Sequence, residues 1–329
     1  MNKNILLFRT DRIGDFLMTC PSIKTIKDSF PEHKISIVTS EKNFSYIKTF
    51  IYFDKVYQFP KGSIFKKISF YRKVSEVKYD QIYVFDGKDR SIILTCLLHS
   101  KNKVSKIVNK KQSILCKIFN IKTILDVFGN DLNTLHQNLL KSAGLEKKIS
   151  NFNYLVDRKH NDLVNKIPFD SYMQIHLDEK WFSNTYIKNY QNINPSYEEF
   201  TNFITSLSEK NNIVISTGIS TNNLIDRLEL GCVKKLSKNI FFFNIKENVI
   251  LIKNTSFLDL ESILRKTNTL ISCHGALTHA AASFNIKIVD IVEESRDALV
   301  KRYSLYIKNY YKLYRKSFKY LVQDINELL

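Results

Sequence analysis

A chain of 329 residues, 44% hydrophobic and 25% charged, is long enough for about two ordinary domains and too apolar to be disordered. Its five cysteines are odd in number and never spaced as C-x-x-C, which excludes a disulfide framework or zinc motif of the usual spacing and points to reduced, mostly buried thiols. The formal net charge of +18 leaves two readings open: a lysine bias in a chain with only 8 Gly and 5 Pro, or an anionic partner such as nucleic acid, a membrane surface or a phosphorylated glycolipid.

The apolar run at residues 5–8 is too short for a signal-peptide core, so a cytoplasmic protein is expected. Strands are predicted over residues 4–9, 34–39, 55–59, 81–86 and 103–108, with amphipathic helical stretches at 22–30, 65–77 and 90–99 between them. Residues 92–98, the longest apolar-rich stretch, cannot span a bilayer. Alternation at this spacing predicts parallel βαβ units with helices on both faces of the sheet. A further helix is predicted over 132–143, stopped by Gly144 as a C-cap. A polar stretch at 157–166, ending at Pro168, separates a first domain (1–160) from a second (168–300). In the second, strands are predicted at 172–176, 213–217, 240–245, 269–273 and 286–292, and helices at 196–210, 258–266 and 277–284. The remainder, 301–329, reads as a basic helical tail, with seven cations, no acid and five tyrosines between Lys301 and Lys319. Either it is solvated, or it packs partly on the body and partly faces an anionic membrane or phosphorylated acceptor.

No G-x-G occurs anywhere, and the phosphate loop, H-E-x-x-H and G-x-S-x-G motifs are also missing. Three segments that run from a strand into a turn remain. The first, residues 9–21, contains Gly14 and Asp15, where a tight turn at the glycine would place a carboxylate at the start of a helix. That carboxylate can cap the helix or act as a general base on an incoming hydroxyl. The second, residues 176–182, offers Lys180 beside Trp181, the only tryptophan; the lysine is either a solvated loop residue or a counter-charge for a leaving diphosphate. In the third, residues 271–282, His274 and Gly275 lie at a small-residue turn before a helix carrying His279. Amides at such a helix start bind phosphate, Gly275 admits close approach of a ligand, and His279 reads as a packing residue.

Taken in order, these segments resemble glycosyltransferase family 9, which includes the lipopolysaccharide heptosyltransferases. Arg9, Gly14, Asp15 and Pro21 match its R-x-x-x-x-G-D-x-x-x-x-x-P opening, Lys180 and Trp181 its Lys-Trp loop, residues 214–218 its strand-to-glycine turn, and residues 272–285 its S-x-D-[TS]-G-x-x-H-x-A-A-A-x-x-[GN] block. The resemblance implies an α/β protein of GT-B architecture, with two Rossmann-like doubly wound domains facing a central cleft. It further implies inverting, metal-independent transfer of a sugar, heptose or hexose, from a nucleotide diphosphate to a lipopolysaccharide-type glycolipid or oligosaccharide acceptor. The absence of D-x-D agrees, and no cofactor beyond the nucleotide-sugar co-substrate is expected. Asp15 would be the base. Arg9, Arg12 and Gly14 would meet the acceptor, and Lys180, Thr217, Gly218, His274, Gly275, Ala276 and Leu277 the donor. Peripheral contact with the cytoplasmic face of the inner membrane fits such an acceptor. The chain departs from the family in carrying His274 where an aspartate is usual, with Gly275 and Ala276 at the Thr/Ser and Gly positions. That departure implies a different sugar or a different hold on the donor, and motivates an alternative, a non-catalytic nucleotide-sugar-binding protein. The charge motivates another, a nucleic-acid-binding protein, but no nucleic-acid module is present, so no nucleic-acid partner is expected.

Overall fold

The computed structural model describes residues 3–127, 129, 131–150, 152–182, 194–218, 222–237, 239–243 and 246–329. The chain divides into two compact units, residues 1–154 and 155–329. The boundary precedes the polar stretch, because that stretch is tied to the second unit. The Leu155 amide donates to Ser283 Oγ at 2.9 Å, Arg158 forms a buried ion pair with Glu261, and Arg265 donates to the Leu155, Val156 and Arg158 carbonyls.

The first unit holds six strands: β1 (Asn4–Arg9), β2 (Lys34–Thr39), β3 (Lys55–Gln58), β4 (Tyr79–Val84), β5 (Ser100–Ile107) and β6 (Lys122–Leu125). All pairings are parallel, in the order β3-β2-β1-β4-β5-β6. The central β1 is a nearly continuous buried run, as a strand covered on both faces requires. The helix after it, Ile13–Ser29, starts nine residues earlier than predicted and carries Pro21 inside it. Its ten buried residues, from Phe16 to Ile26, outweigh the hydrogen bond that proline cannot make. Gly144 ends the helix Leu132–Ser142 with a φ of +85°, the expected left-handed cap.

The second unit holds β7 (Tyr172–Leu177), β8 (Ile213–Thr217), β9 (Cys232–Ser237), β10 (Ile240–Phe243), β11 (Val249–Ile252), β12 (Thr267–Cys273), β13 (Lys287–Val292) and β14 (Tyr310–Tyr314). The prediction at 240–245 is met as far as 243; residues 244 and 245 lie outside the described ones. The order is β14-β13-β12-β7-β8-β11-β10-β9, with antiparallel pairing only at β10–β11 and β9–β10. Without the β9–β10 hairpin, the six parallel strands taken in chain order stand 3-2-1-4-5-6, the same doubly wound order as in the first unit. The predicted tail is not separate. Residues 301–329 supply β14, which pairs with β13, and a helix, Phe318–Leu328, that buries Phe318, Leu321 and Ile325 in the unit's main core.

Strand order reverses between β1 and β4 in one sheet and between β7 and β12 in the other. In open α/β sheets ligands bind outside the carboxyl ends at such reversals. Asp15 follows β1, while Lys180 follows β7 and His274 follows β12.

Candidate active site

At the carboxyl end of β1 the turn is made by residues 10–12, and the helix begins at Ile13. Gly14 is therefore a helical residue, and it is not among the glycines with positive φ, so the tight turn expected there is absent. Arg12 is the N-cap and Asp15 occupies the third helical position, from which its carboxylate accepts the Arg12 backbone N–H at 3.2 Å. Asp15 is thus one arm of a capping box rather than the cap residue itself. Its side chain is 35% exposed, so the carboxylate keeps open access to solvent.

Arg9, expected to meet an acceptor, is buried with its guanidinium committed. Nε donates to the Asp15 carbonyl at 2.9 Å, Nη1 donates to the Phe85 carbonyl at 2.8 Å, and Nη2 stands 3.8 Å from the Asp15 carboxylate. Arg9 therefore positions the Asp15 turn from beneath, while Arg12 is exposed. Two further carboxylates stand nearby. Asp86 is saturated, accepting from the Thr10 amide and hydroxyl, the Ser91 hydroxyl and the Lys88 amide. Asp11 lies 3.4 Å from both Arg9 and Lys88, and burial pushes its carboxyl above the ordinary range despite those two cations. Of the three, Asp15 is the most exposed, with one accepted hydrogen bond and one long ion pair.

In the second unit, Asp178 caps a single 3-10 turn, Glu179–Trp181, which turns Lys180 back over the sheet. The Lys180 ammonium donates to the Asp178 carboxylate at 2.9 Å and to the His274 carbonyl at 2.9 Å. Burial opposes its charge, but Asp178, with smaller contributions from Cys273 and Glu179, holds its pKa above the usual lysine value. Of an ammonium's three donors two are used among the described residues, which leaves one for a ligand. Trp181 is fully buried and donates from Nε1 to the His176 carbonyl at 2.8 Å, which makes this an ordered loop and not a solvated one.

Across the sheet, β12 ends at Cys273 and the helix Ala276–Ala282 follows. A Cβ built on Gly275 would stand 2.9 Å from Lys180 Nζ, so the missing side chain makes room for the ammonium. The Gly275 amide is not available to phosphate as expected, because it donates to Thr278 Oγ1 at 3.2 Å. His274 Nδ1 lies 2.6 Å from the carboxylate of Asp290, which also accepts from Tyr310 at 2.7 Å and from Thr278 at 3.1 Å. Asp290 is fully buried and thereby fixes the imidazole, whose Nε2 is left to meet a ligand. His279 is a packing residue as predicted: it bonds the Tyr306 hydroxyl at 3.0 Å, and burial, aided by the nearby His274, drives its pKa well down, so it stays neutral. Thr217 is buried and aligned with Leu177 across the β7–β8 pair, whereas Gly218 beyond it is open. Leu277 is buried, so only its backbone can serve a ligand.

Arg315 binds these loops together. It follows β14, is 2% exposed, and donates from Nη2 to the Lys180 carbonyl at 2.9 Å and to Cys273 Sγ at 2.7 Å, with its guanidinium over the Trp181 ring. Among the described residues, no group of three or more His, Cys, Asp or Glu is placed to hold a metal ion.

No family model matches the chain, and no curated protein sequence matches it significantly. Solved structures do match over nearly its whole length. E. coli heptosyltransferase WaaC with ADP aligns at a TM-score of 0.68 and 16% identity, covering 99% of this chain and 100% of that one. A glycosyl transferase family 9 protein from Veillonella parvula aligns at 0.71 and 15%, covering 100% and 91%. E. coli ADP-heptose lps heptosyltransferase II aligns at 0.65 and 10%, covering 99% and 98%. The chain has the GT-B fold. At this level of identity the likeness is one of fold, and it extends over both units of the GT-B chain.

The sequence reading of this GT-B chain missed Asp178, Asp290 and Arg315. Asp178 and Asp290 carry no motif of their own, since each acts through a neighbour that the motifs did name. Arg315 was counted among the tail cations, and only the pairing of β14 with β13 brings it inside.

Proposed function

We propose that the protein is a glycosyltransferase that binds a nucleotide-diphosphate sugar on its second unit and activates an acceptor hydroxyl with Asp15 on its first. The observation that carries this reading is the Lys180–Gly275 arrangement at the strand-order reversal, where a protonated lysine with a spare donor stands over a glycine whose side chain would displace it. That is a counter-charge placed for a leaving diphosphate. In the transfer, Asp15 takes the proton from the acceptor oxygen as that oxygen bonds to the anomeric carbon. The bond from that carbon to the diphosphate breaks, and its electron pair leaves on phosphate oxygen beside Lys180. Attack opposite the leaving group inverts the anomeric centre, and the lysine supplies the neutralising charge without a metal. The matching structures are described with ADP and with an ADP-heptose analogue, which supports a nucleotide sugar as donor and heptose as a first candidate. His274, braced by Asp290, supplies an imidazole Nε2 for the donor's phosphate or sugar. A glycolipid or oligosaccharide of lipopolysaccharide type fits as acceptor.

The test is a thermal-shift screen of ADP-, GDP- and UDP-sugars followed by a transfer assay with the donor that stabilises the fold. A donor that raises the Tm of the wild type but not of Lys180→Ala, and is turned over, supports the reading. Stabilisation without turnover on any glycan acceptor would favour a binding protein; no stabilisation by any donor would remove the proposal.

A further inference from the structure

The helix Ile64–Ser75 in the first unit packs Phe70, Tyr71 and Val74 against the core, and leaves a second apolar group outside that stripe. Of its twelve residues only Val74 is buried, while Ile64, Phe65 and Ile68 are 62%, 78% and 44% exposed. The neighbouring helix Asp89–Leu97 adds Ile93 and Leu97, also more than half exposed. A groove of about 540 Å³ is lined from both helices and from the loop after β3, with Phe59, Ile68, Phe70 and Leu97 among its walls. Its charged lining is Lys61, Lys67, Arg90 and one acid, Glu41, which is already paired with Lys61. From residue 61 to 75 the chain carries Lys61, Lys66, Lys67, Arg72 and Lys73 and no acid at all.

Exposed Ile and Phe flanked by cations, in the first turns of a helix whose later turns hold it to the core, are the composition of an element lying in a membrane interface. The geometry points to this face as a docking surface for an anionic phospholipid bilayer, with a hydrocarbon chain entering the groove. Charge decides the partner: with Lys61 paired to Glu41, the exposed Lys66, Lys67, Arg72 and Lys73 remain to attract phosphate headgroups, each adding roughly equally to binding near the surface. The C-terminal cations are not equivalent. Lys312 pairs with Asp297, Lys316 pairs with Asp324, and Arg315 is buried, so three of that segment's seven cations are neutralised or internal. Arg90 lines the groove and also donates to the carbonyl and hydroxyl of Thr10. The lipid therefore sits on the side of the unit where β1 ends and Asp15 stands, and an acceptor anchored in the same bilayer would present its hydroxyls there. That link to transfer rests on the proposed function; the docking itself does not.

Flotation with vesicles of phosphatidylcholine, with and without phosphatidylglycerol, tests it. Wild type should float only with anionic vesicles. Affinity should fall at least about tenfold in a triple variant Ile64→Ser, Phe65→Ser, Ile68→Ser, and likewise when Lys66, Lys67, Arg72 and Lys73 become Gln. A control removing the same charge elsewhere, with Lys210, Lys234, Lys235 and Lys246 changed to Gln, should float as wild type does. Every altered side chain is exposed. The melting temperature and any nucleotide-sugar thermal shift should therefore be kept, which separates failure of docking from failure of the donor reading. No flotation of wild type at low salt would overturn the proposal. So would equal loss in the control, which would mean net charge alone, or undiminished binding of the serine variant, which would mean that nothing inserts.

Discussion

Replacing Asp15 by Asn isolates its charge from its place in the fold. The asparagine oxygen can still accept the Arg12 N–H now bonded at 3.2 Å, so the capping box should survive. The ion pair lost is weak: Arg9 Nη2 lies 3.8 Å away and the Asp15 side chain is 35% exposed, so solvent screening leaves well under about 1 kcal/mol. For a unit of 154 residues that is a Tm change of no more than roughly 2–4 °C. Loss of general-base help should instead lower kcat by about 10²–10⁴-fold, or roughly 3–5 kcal/mol of barrier. The assay is steady-state transfer with the donor found by thermal shift, with donor affinity measured separately; the latter should be unchanged because the proposed donor loops belong to the other unit. A well-folded Asn variant with near-normal turnover would refute the assignment. If Asp11→Asn lost a hundredfold while Asp15→Asn did not, the base would be Asp11.

Lys180→Ala should cost roughly 2.7–4 kcal/mol of transition-state stabilisation, read as a fall in kcat/KM; a change under about threefold would remove it from the site. Gly275→Ala puts a methyl against the Lys180 ammonium, and because the backbone there is extended it should weaken donor use without strain; unaltered kcat/KM would show that the lysine has room to move. Burial raises the folded-state pKa of Asp11, so its ionisation opposes folding above that pKa and has no such effect below the unfolded value, about 3.9. Asp11→Asn should therefore melt higher than wild type at pH 7, with the gain vanishing as pH falls below about 4; a Tm lower than wild type at pH 7 would contradict this. Arg315→Met should lose about 3 kcal/mol in denaturant melts, since it leaves the half-buried Lys180 carbonyl without its donor and Glu293 without its cation; a near-neutral result would show that the clamp is dispensable.

The doubly wound alternation was legible because the inner strands, such as Tyr172–Leu177 and Ile213–Thr217, are continuous apolar runs that a sheet covered on both faces demands. Three of the four edge strands were not: Lys122–Leu125, Cys232–Ser237 and Tyr310–Tyr314 are largely exposed and their patterns resemble loops, and the buried inner strand Val249–Ile252, only four residues long, was missed as well. Motif spacing named Asp15, Lys180, His274 and Gly275 as candidates, and the fold places each after a strand beside an order reversal. It misjudged Gly14, whose backbone is helical, and Arg9, whose burial depends on carbonyls supplied by Asp15 and, 76 residues away, by Phe85. Partners distant in sequence leave no local pattern, which is also why the bracing of His274 by Asp290 had no signal of its own.

The Arg315 clamp sets a schedule for biosynthesis. A ribosome adding about 5–20 residues per second needs roughly 10–30 s to go from the end of the first unit at residue 154 to residue 315. Throughout that interval the first unit has all the chain it needs to fold. The Lys180 and Cys273 loops, by contrast, lack the guanidinium that joins them. A polypeptide stalled before residue 315 would thus carry Asp15 in place and Lys180 untethered, and the nascent chain can join the Lys180 and Cys273 loops only once Arg315 has been made.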